Sequence, residues 1–229
     1  RHNDKKNSIL NIVSHDLVGP LSFIRNIATI LSRELKALNN FKFDKFISII
    51  YKTSEECIDL IRDFLNVEFL ESSEVRLLKK RVDLAERICN IIAQYQEMQG
   101  ELKKQFHFKS NKKSIYVEID DEKFMQVINN LISNALKFTH DNGVINILMN
   151  ETQTEVQITV TDNGIGIPER YQNVLFDKFS KARRRGLKDE HSTGLGMYII
   201  KTIIDWHQGT ISFESKEGQG SSFYITLPK

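Results

Sequence analysis

The sequence predicts an α plus α/β chain: a helical hairpin over residues 1–73, followed by an α/β sandwich over residues 74–229. Three observations predict it. Two long apolar seams with helical spacing fill the first third. Runs of strand-like alternation begin only after Glu71-Ser72-Ser73, and helical patterns lie between those runs. Such an order suits helices packed over one face of a sheet.

The first seam comprises Leu10, Val13, Leu17, Pro20, Ile24, Ile27, Leu31, Leu35 and Leu38, at intervals of three and four. Residues 37–42 then supply the turn-like stretch before a second seam of Phe43, Phe46, Ile50, Thr53, Cys57, Leu60, Phe64 and Val67. Both are coiled-coil-like, so two antiparallel helices joined by a short loop are expected. One hairpin cannot bury both seams against itself. Pairing two hairpins in a dimeric four-helix bundle is the remedy, and a homodimer through this half is expected.

In the second part, alternation marks strands at residues 115–119, 144–148 and 156–160, with further β-rich stretches at 210–213 and 222–226. Helical segments are expected near Asp83 to Lys103, Asp121 to Phe138 and Gly194 to His207. The richest loop lies between Pro168 and Ser192.

Composition excludes several classes. The 32 Lys and Arg stand against 30 Asp and Glu, a net charge of +2, which argues against a nucleic-acid binder that works by neutralising phosphates. Any anion site must be local. Cys57 and Cys89 are too few for a disulfide framework, so buried thiols in a reducing compartment are expected. No apolar run approaches the roughly 18 residues of a membrane span. A soluble cytoplasmic piece is expected. Because it opens at Arg1 and not at Met, it reads as part of a longer protein whose upstream sensor region could cross a membrane.

The chemistry begins at His15. With Leu10 at seam position a, His15 falls at f, on the outer face, where a core histidine would not sit. Asp16 follows it, and a carboxylate beside an imidazole can hold one tautomer and strengthen the other nitrogen as a nucleophile. Pro20 removes the amide that the Asp16 carbonyl would receive, so a local kink is expected. The run Ser14-His15-Asp16-Leu17-Val18-Gly19-Pro20-Leu21 resembles the phosphoacceptor motif of sensor histidine kinases. Two departures stand out. Val18 replaces the usual basic residue, and Gly19 occupies the place where a Thr or Asn is associated with dephosphorylating the partner's aspartate.

The helix expected at Asp121 to Phe138 divides into an apolar stripe of Phe124, Ile128, Leu131, Ala135 and Phe138 and a polar face of Asn130, Asn134 and Lys137. Two amides and an ammonium in line suit a Mg-triphosphate, an amide oxygen for the hard cation and a point charge for phosphate oxygens. Residues 130–139 resemble the asparagine box of the histidine-kinase ATPase domain, a fold of the Bergerat type. That resemblance assigns Asn134 to Mg²⁺ and Asn130 and Lys137 to the ATP phosphates.

Further on, Asp162-Asn163-Gly164-Ile165-Gly166 follows a strand. A carboxylate only accepts hydrogen bonds, so Asp162 can receive the adenine amino group, while Gly164 and Gly166 let the backbone approach the base. This matches the family's first glycine box. The cluster Thr193-Gly194-Leu195-Gly196 opens the last helix, whose free amides can hold phosphates without a Walker lysine. Ser192 stands where the family usually has Gly. Between the clusters, residues 175–179 resemble the phenylalanine box, and Phe179 is assigned to the nucleotide lid. Arg183-Arg184-Arg185 in that lid reads as a solvated loop. The histidines show no metal-ligand spacing, which argues against zinc.

Taken together, the resemblance implies a kinase that autophosphorylates His15 from Mg-ATP, with Asp16 as orienter and general base. It implies transfer of the phosphoryl group to an aspartate of a response-regulator receiver domain. Gly19 implies weak phosphatase activity. Two alternatives stay open: an ATPase of the same fold that drives conformational change, and a non-enzymatic dimeric scaffold.

Overall fold

The computed structural model describes residues 18–19, 21–31, 33, 41–70, 76–182, 184–188, 190, 192 and 194–229. The chain divides into two units, Arg1–Val75 and Arg76–Lys229.

In the first unit, residues 21–31 (α1) and Phe41–Leu70 (α2) are helical. Ala28 of α1 and Ile47, Ser54 and Ile58 of α2 are buried, and Arg25 pairs with Glu55 across the two helices at 2.6 Å. The Ser54 hydroxyl satisfies itself on the Ile50 carbonyl. The seam residues lie elsewhere. Ile24, Ile27, Leu31, Phe46 and Ile50 are all exposed. Ala28, Ile47, Ser54 and Ile58 are therefore buried in the hairpin, while these seam residues are left on its outside.

In the second unit, the order is β1 (Lys80–Asp83), α3 (Leu84–Glu97), α4 (Gln99–Leu102), β2 (Gln105–Ser110), β3 (Tyr116–Ile119), α5 (Asp121–Phe138), β4 (Val144–Glu151), β5 (Glu155–Asp162), α6 (Glu169–Gln172), α7 (Gly196–Trp206), β6 (Thr210–Lys216) and β7 (Gly220–Pro228). Five strands form a mixed sheet in the order β2-β4-β5-β7-β6, parallel only between β2 and β4. A separate antiparallel ribbon joins β1 to β3.

Period-two alternation explains which face is covered. On β4, Ile145, Ile147 and Met149 are buried, and on β5 so are Val156, Ile158 and Val160. Their neighbours Asn146, Asn150 and Gln157 are exposed, so one face is solvated, as antiparallel sheets allow. The buried face meets α5 through Phe124, Ile128 and Leu131 and α7 through Ile199, Ile200 and Ile203.

Asp83 caps α3 by accepting from the Glu86 amide, and the same oxygen accepts from the Ile115 amide at 3.0 Å. Asp120 caps α5 through the Lys123 amide, a type of contact worth about 1 kcal/mol. The helix expected from Asp83 to Lys103 is broken at Met98, and Lys103 ends α4 in a left-handed conformation with φ 53°. The thiols depart from expectation as well. Cys57 is half-buried and Cys89 exposed, because Cys89 falls on the polar side of α3 between the buried Ile88 and Ile92.

Candidate functional site

The alternation of β5 sets the position of the key carboxylate. Val156, Ile158 and Val160 point toward the helices, and Asp162, next in phase, points the same way at the strand end. Its side chain is buried. It accepts from the Gly164 amide at 2.8 Å. Burial pushes its carboxyl above the ordinary value, and hydrogen bonds from the Gly164 and Ser221 amides oppose that rise.

The turn after β5 is locked to the end of α5. The Ile165 amide donates to the Phe138 carbonyl at 3.0 Å, and a Cβ on Gly164 would lie 2.1 Å from that same oxygen. Gly166 has φ +65°, and a Cβ there would lie 2.1 Å from the Lys216 carbonyl. Glycine is needed at both places, at the first for close approach and at the second for backbone shape as well. Asp162 and Asn134 both line one cavity beside this junction, which Phe138, Gly166, Gly194 and Gly196 also line.

Asn134 is half-buried at the cavity wall. Its amide NH₂ donates to the Met197 sulfur at 3.4 Å, and no hydrogen bond reaches its Oδ1 among the described residues. An amide oxygen is a hard donor of the kind Mg²⁺ takes alongside waters and phosphates. The helix α7 begins at Gly196 with no side chain capping it, and Gly196 and Met197 line the cavity, so its N-terminus brings amides and a positive dipole end there.

The family described as histidine kinase-, DNA gyrase B- and HSP90-like ATPase matches residues 119–229. The sensor histidine kinase WalK of Bacillus subtilis (strain 168) is 32% identical over 218 residues, covering 94% of this chain and 35% of WalK. The nucleotide-free catalytic domain of histidine kinase ThkA is similar at 31% identity with a TM-score of 0.58, over 66% of this chain and 97% of that one. This chain belongs to the sensor histidine kinases. A crystal structure of the histidine kinase ThkA in complex with the response regulator protein TrrA matches it at a TM-score of 0.65 and 24% identity. That match covers 99% of this chain and 64% of the other, and it is a likeness of fold. The chain spans about a third of WalK, 35% of its length.

In this histidine kinase one cavity brings together Asn134, Asp162, Gly166, Gly194 and Gly196. Asn130 and Lys137 are half-buried on the same polar face of α5, one turn to either side of Asn134. Gly164 stands behind the cavity wall against Phe138, and Leu195 is buried as the residue before α7. Phe179 is not brought in. It is 58% exposed with φ 53° and lies beneath the Lys178 ammonium, while Phe176 of the same motif packs edge-on against Phe213. His15, Asp16 and Thr193 lie outside the described residues.

Among the cavity residues that the sequence reading did not assign to the site are Phe138 and Arg184. Phe138, placed with the core stripe, is half-buried and faces the cavity, because the stripe has rotated off the sheet by the last turn of α5. Arg184 corrects the solvated-loop reading. Its Nη2 donates to the Gly166 carbonyl at 2.9 Å, and its guanidinium lies 5.1 Å from the Phe138 ring centre. A charge run gives no signal for this, since nothing in the pattern marks out which arginine will stack.

Proposed function

We propose that this chain is the core of a protein-histidine kinase that phosphorylates its own His15 from ATP and passes the phosphoryl group to an aspartate of a response regulator. The observation that carries the reading is the buried Asp162 carboxylate in one cavity with Asn134 and the α7 N-terminus. An acceptor-only group selects the adenine amino group, and the α7 amides receive phosphate oxygens. Asn130 and Lys137 extend the polar face along the triphosphate.

Asn134 would hold Mg²⁺, which when bound neutralises charge on the phosphates. The His15 imidazole nitrogen attacks the γ-phosphorus in line. An N–P bond forms, the bond to the β–γ bridging oxygen breaks, and ADP leaves with that electron pair. Asp16 holds the imidazole tautomer and takes its ring proton. A receiver aspartate then attacks the phosphohistidine; the complex of ThkA with a response regulator supports this choice of partner.

Domains at 1–73 and 74–229 divide the work, phosphoacceptor and dimerisation in the first and ATP binding in the second. The exposed Ile24, Ile27, Leu31, Phe46 and Ile50 support a homodimer in which two hairpins form a four-helix bundle. No helix among the described residues is long and apolar enough to cross a membrane. A cytoplasmic place for this piece follows from its need for ATP, with the sensor region upstream.

Incubation with γ-labelled ATP tests the reading. Acid-labile, alkali-stable label on the protein is expected. Phosphate release without label would replace the kinase with an ATPase, and neither would leave a scaffold.

A further inference from the structure

The segment between Ser180 and Ser192 forms one wall of the nucleotide cavity through Ser180, Ala182, Arg184 and Ser192. It contains no helix or strand among its described residues and is held by a few contacts. At one end the Leu187 amide donates to the Lys137 carbonyl at 2.8 Å, and Lys188 pairs with Asp141 at 3.0 Å. The first contact reaches the last turn of α5 and the second the turn that follows it. Arg184 reaches the glycine turn through the Gly166 carbonyl.

The geometry around Arg184 is restrictive. The Phe138 ring supports one face of the guanidinium, and the Gly166 carbonyl takes one of its donors. The group is half-buried, and burial lowers its pKa against the attraction of Glu217. Arginine's planar fork makes stacking and hydrogen bonding compatible, and lysine cannot reproduce the pair. Phe138 and Gly166 belong to the junction that fixes Asp162, so this contact ties the wall to the adenine end of the cavity. The α7 N-terminus, assigned above to the phosphates, is built by other residues.

We propose that Arg184 is a positioning residue that straps the lid across the adenine end of the cavity before nucleotide binds, acting on the base and ribose through the lid wall and not on the phosphates. The proposal rests on the reading of the cavity as an ATP site. Its mark is indifference to phosphate number.

Calorimetric titration of the wild type, Arg184→Ala and Arg184→Lys with ATP, ADP and adenosine, each with Mg²⁺ present, tests it. Hydrogen exchange at Leu187 and Lys188 in the nucleotide-free proteins gives the second readout. Both variants should lose affinity for all three ligands by a similar factor, about tenfold, the scale of one charged hydrogen bond. Exchange at Leu187 and Lys188 should quicken. A loss that grows from adenosine to ATP would make Arg184 a phosphate clamp and overturn the proposal. Full rescue by lysine, unchanged affinities, or unchanged exchange would overturn it too. If the wild type itself binds none of the three, the ATP reading fails and not the strap alone.

Discussion

The Asp162 carboxylate accepts a hydrogen bond from the Gly164 amide two residues ahead, at 2.8 Å, on a side chain buried under the sheet's helical layer. A charge in that place costs stability, since burial outweighs the amides that solvate it. Its folded pKa is raised, so the folded state keeps the proton to higher pH than the unfolded chain does. Stability from this group is fullest below the ordinary carboxylate value and is lost as pH rises through the raised one. Asp162→Asn should therefore raise the thermal midpoint at pH 7 while abolishing measurable ATP binding, because the amide presents a donor or a weaker acceptor to adenine. Calorimetry and thermal melting read both. A variant that is less stable and still binds ATP would contradict the assignment.

His207 joins the end of α7 to the start of α5. Its Nδ1–H donates to the Ile203 carbonyl at 2.8 Å, and its Nε2 accepts from the Asp120 amide at 3.0 Å, which requires the neutral ring. Burial, with the nearby Lys79 charge, pushes its pKa below the ordinary value, against the Ile203 carbonyl and Asp120. The stability this arrangement gives is present above about pH 6.5 and is lost as pH falls toward the depressed value, at most about 1.4 kcal/mol per pH unit. Urea midpoints at pH 7.5 and 5.5 should fall less for His207→Gln than for the wild type. Equal falls would remove His207 from the acid sensitivity.

Some of this architecture was legible in residue patterns, and the exceptions have physical causes. The stretches that became β3, β4, β5 and β7 alternate cleanly because a covered face selects every second residue. β2 was missed because, at the edge of the sheet, only Phe106 is fully buried and the alternation is too short to register. The seams marked real apolar faces, yet burial within the hairpin falls to Ala28, Ile47, Ser54 and Ile58. Spacing finds an apolar face and does not say which neighbour covers it. Asn134 and Asp162, which both line one cavity, were picked out because their residue types suit one chemistry. Arg184 was not, since its role depends on a ring and a carbonyl distant in sequence.

The outward apolar face of the hairpin gives a direct test. Ile24 and Ile27 are 44% and 40% exposed, and full burial in a partner would add roughly 1 kcal/mol each, since each is already partly covered. Ile24→Glu with Ile27→Glu should turn a dimer into a monomer in sedimentation while ATP affinity is kept. A variant that stays dimeric would place the interface elsewhere.

Gly19 is exposed and helical, and a Cβ there would meet nothing within 4 Å. A side chain can begin there in open space. The natural protein lacks a side chain at this position to orient water against a phospho-aspartate, so it should be a poor phosphatase. Gly19→Thr should hasten loss of label from a purified phospho-regulator. Equal rates with both proteins would deny Gly19 that influence.

The central claim is that His15 takes the γ-phosphoryl group of an ATP molecule held between Asp162 and Asn134. Label transfer from γ-labelled ATP, compared between the wild type and His15→Gln with ATP affinity measured on both, tests it most directly. Acid-labile label on the wild type, none on His15→Gln, and matching affinities are expected; label of equal amount on His15→Gln would contradict the account.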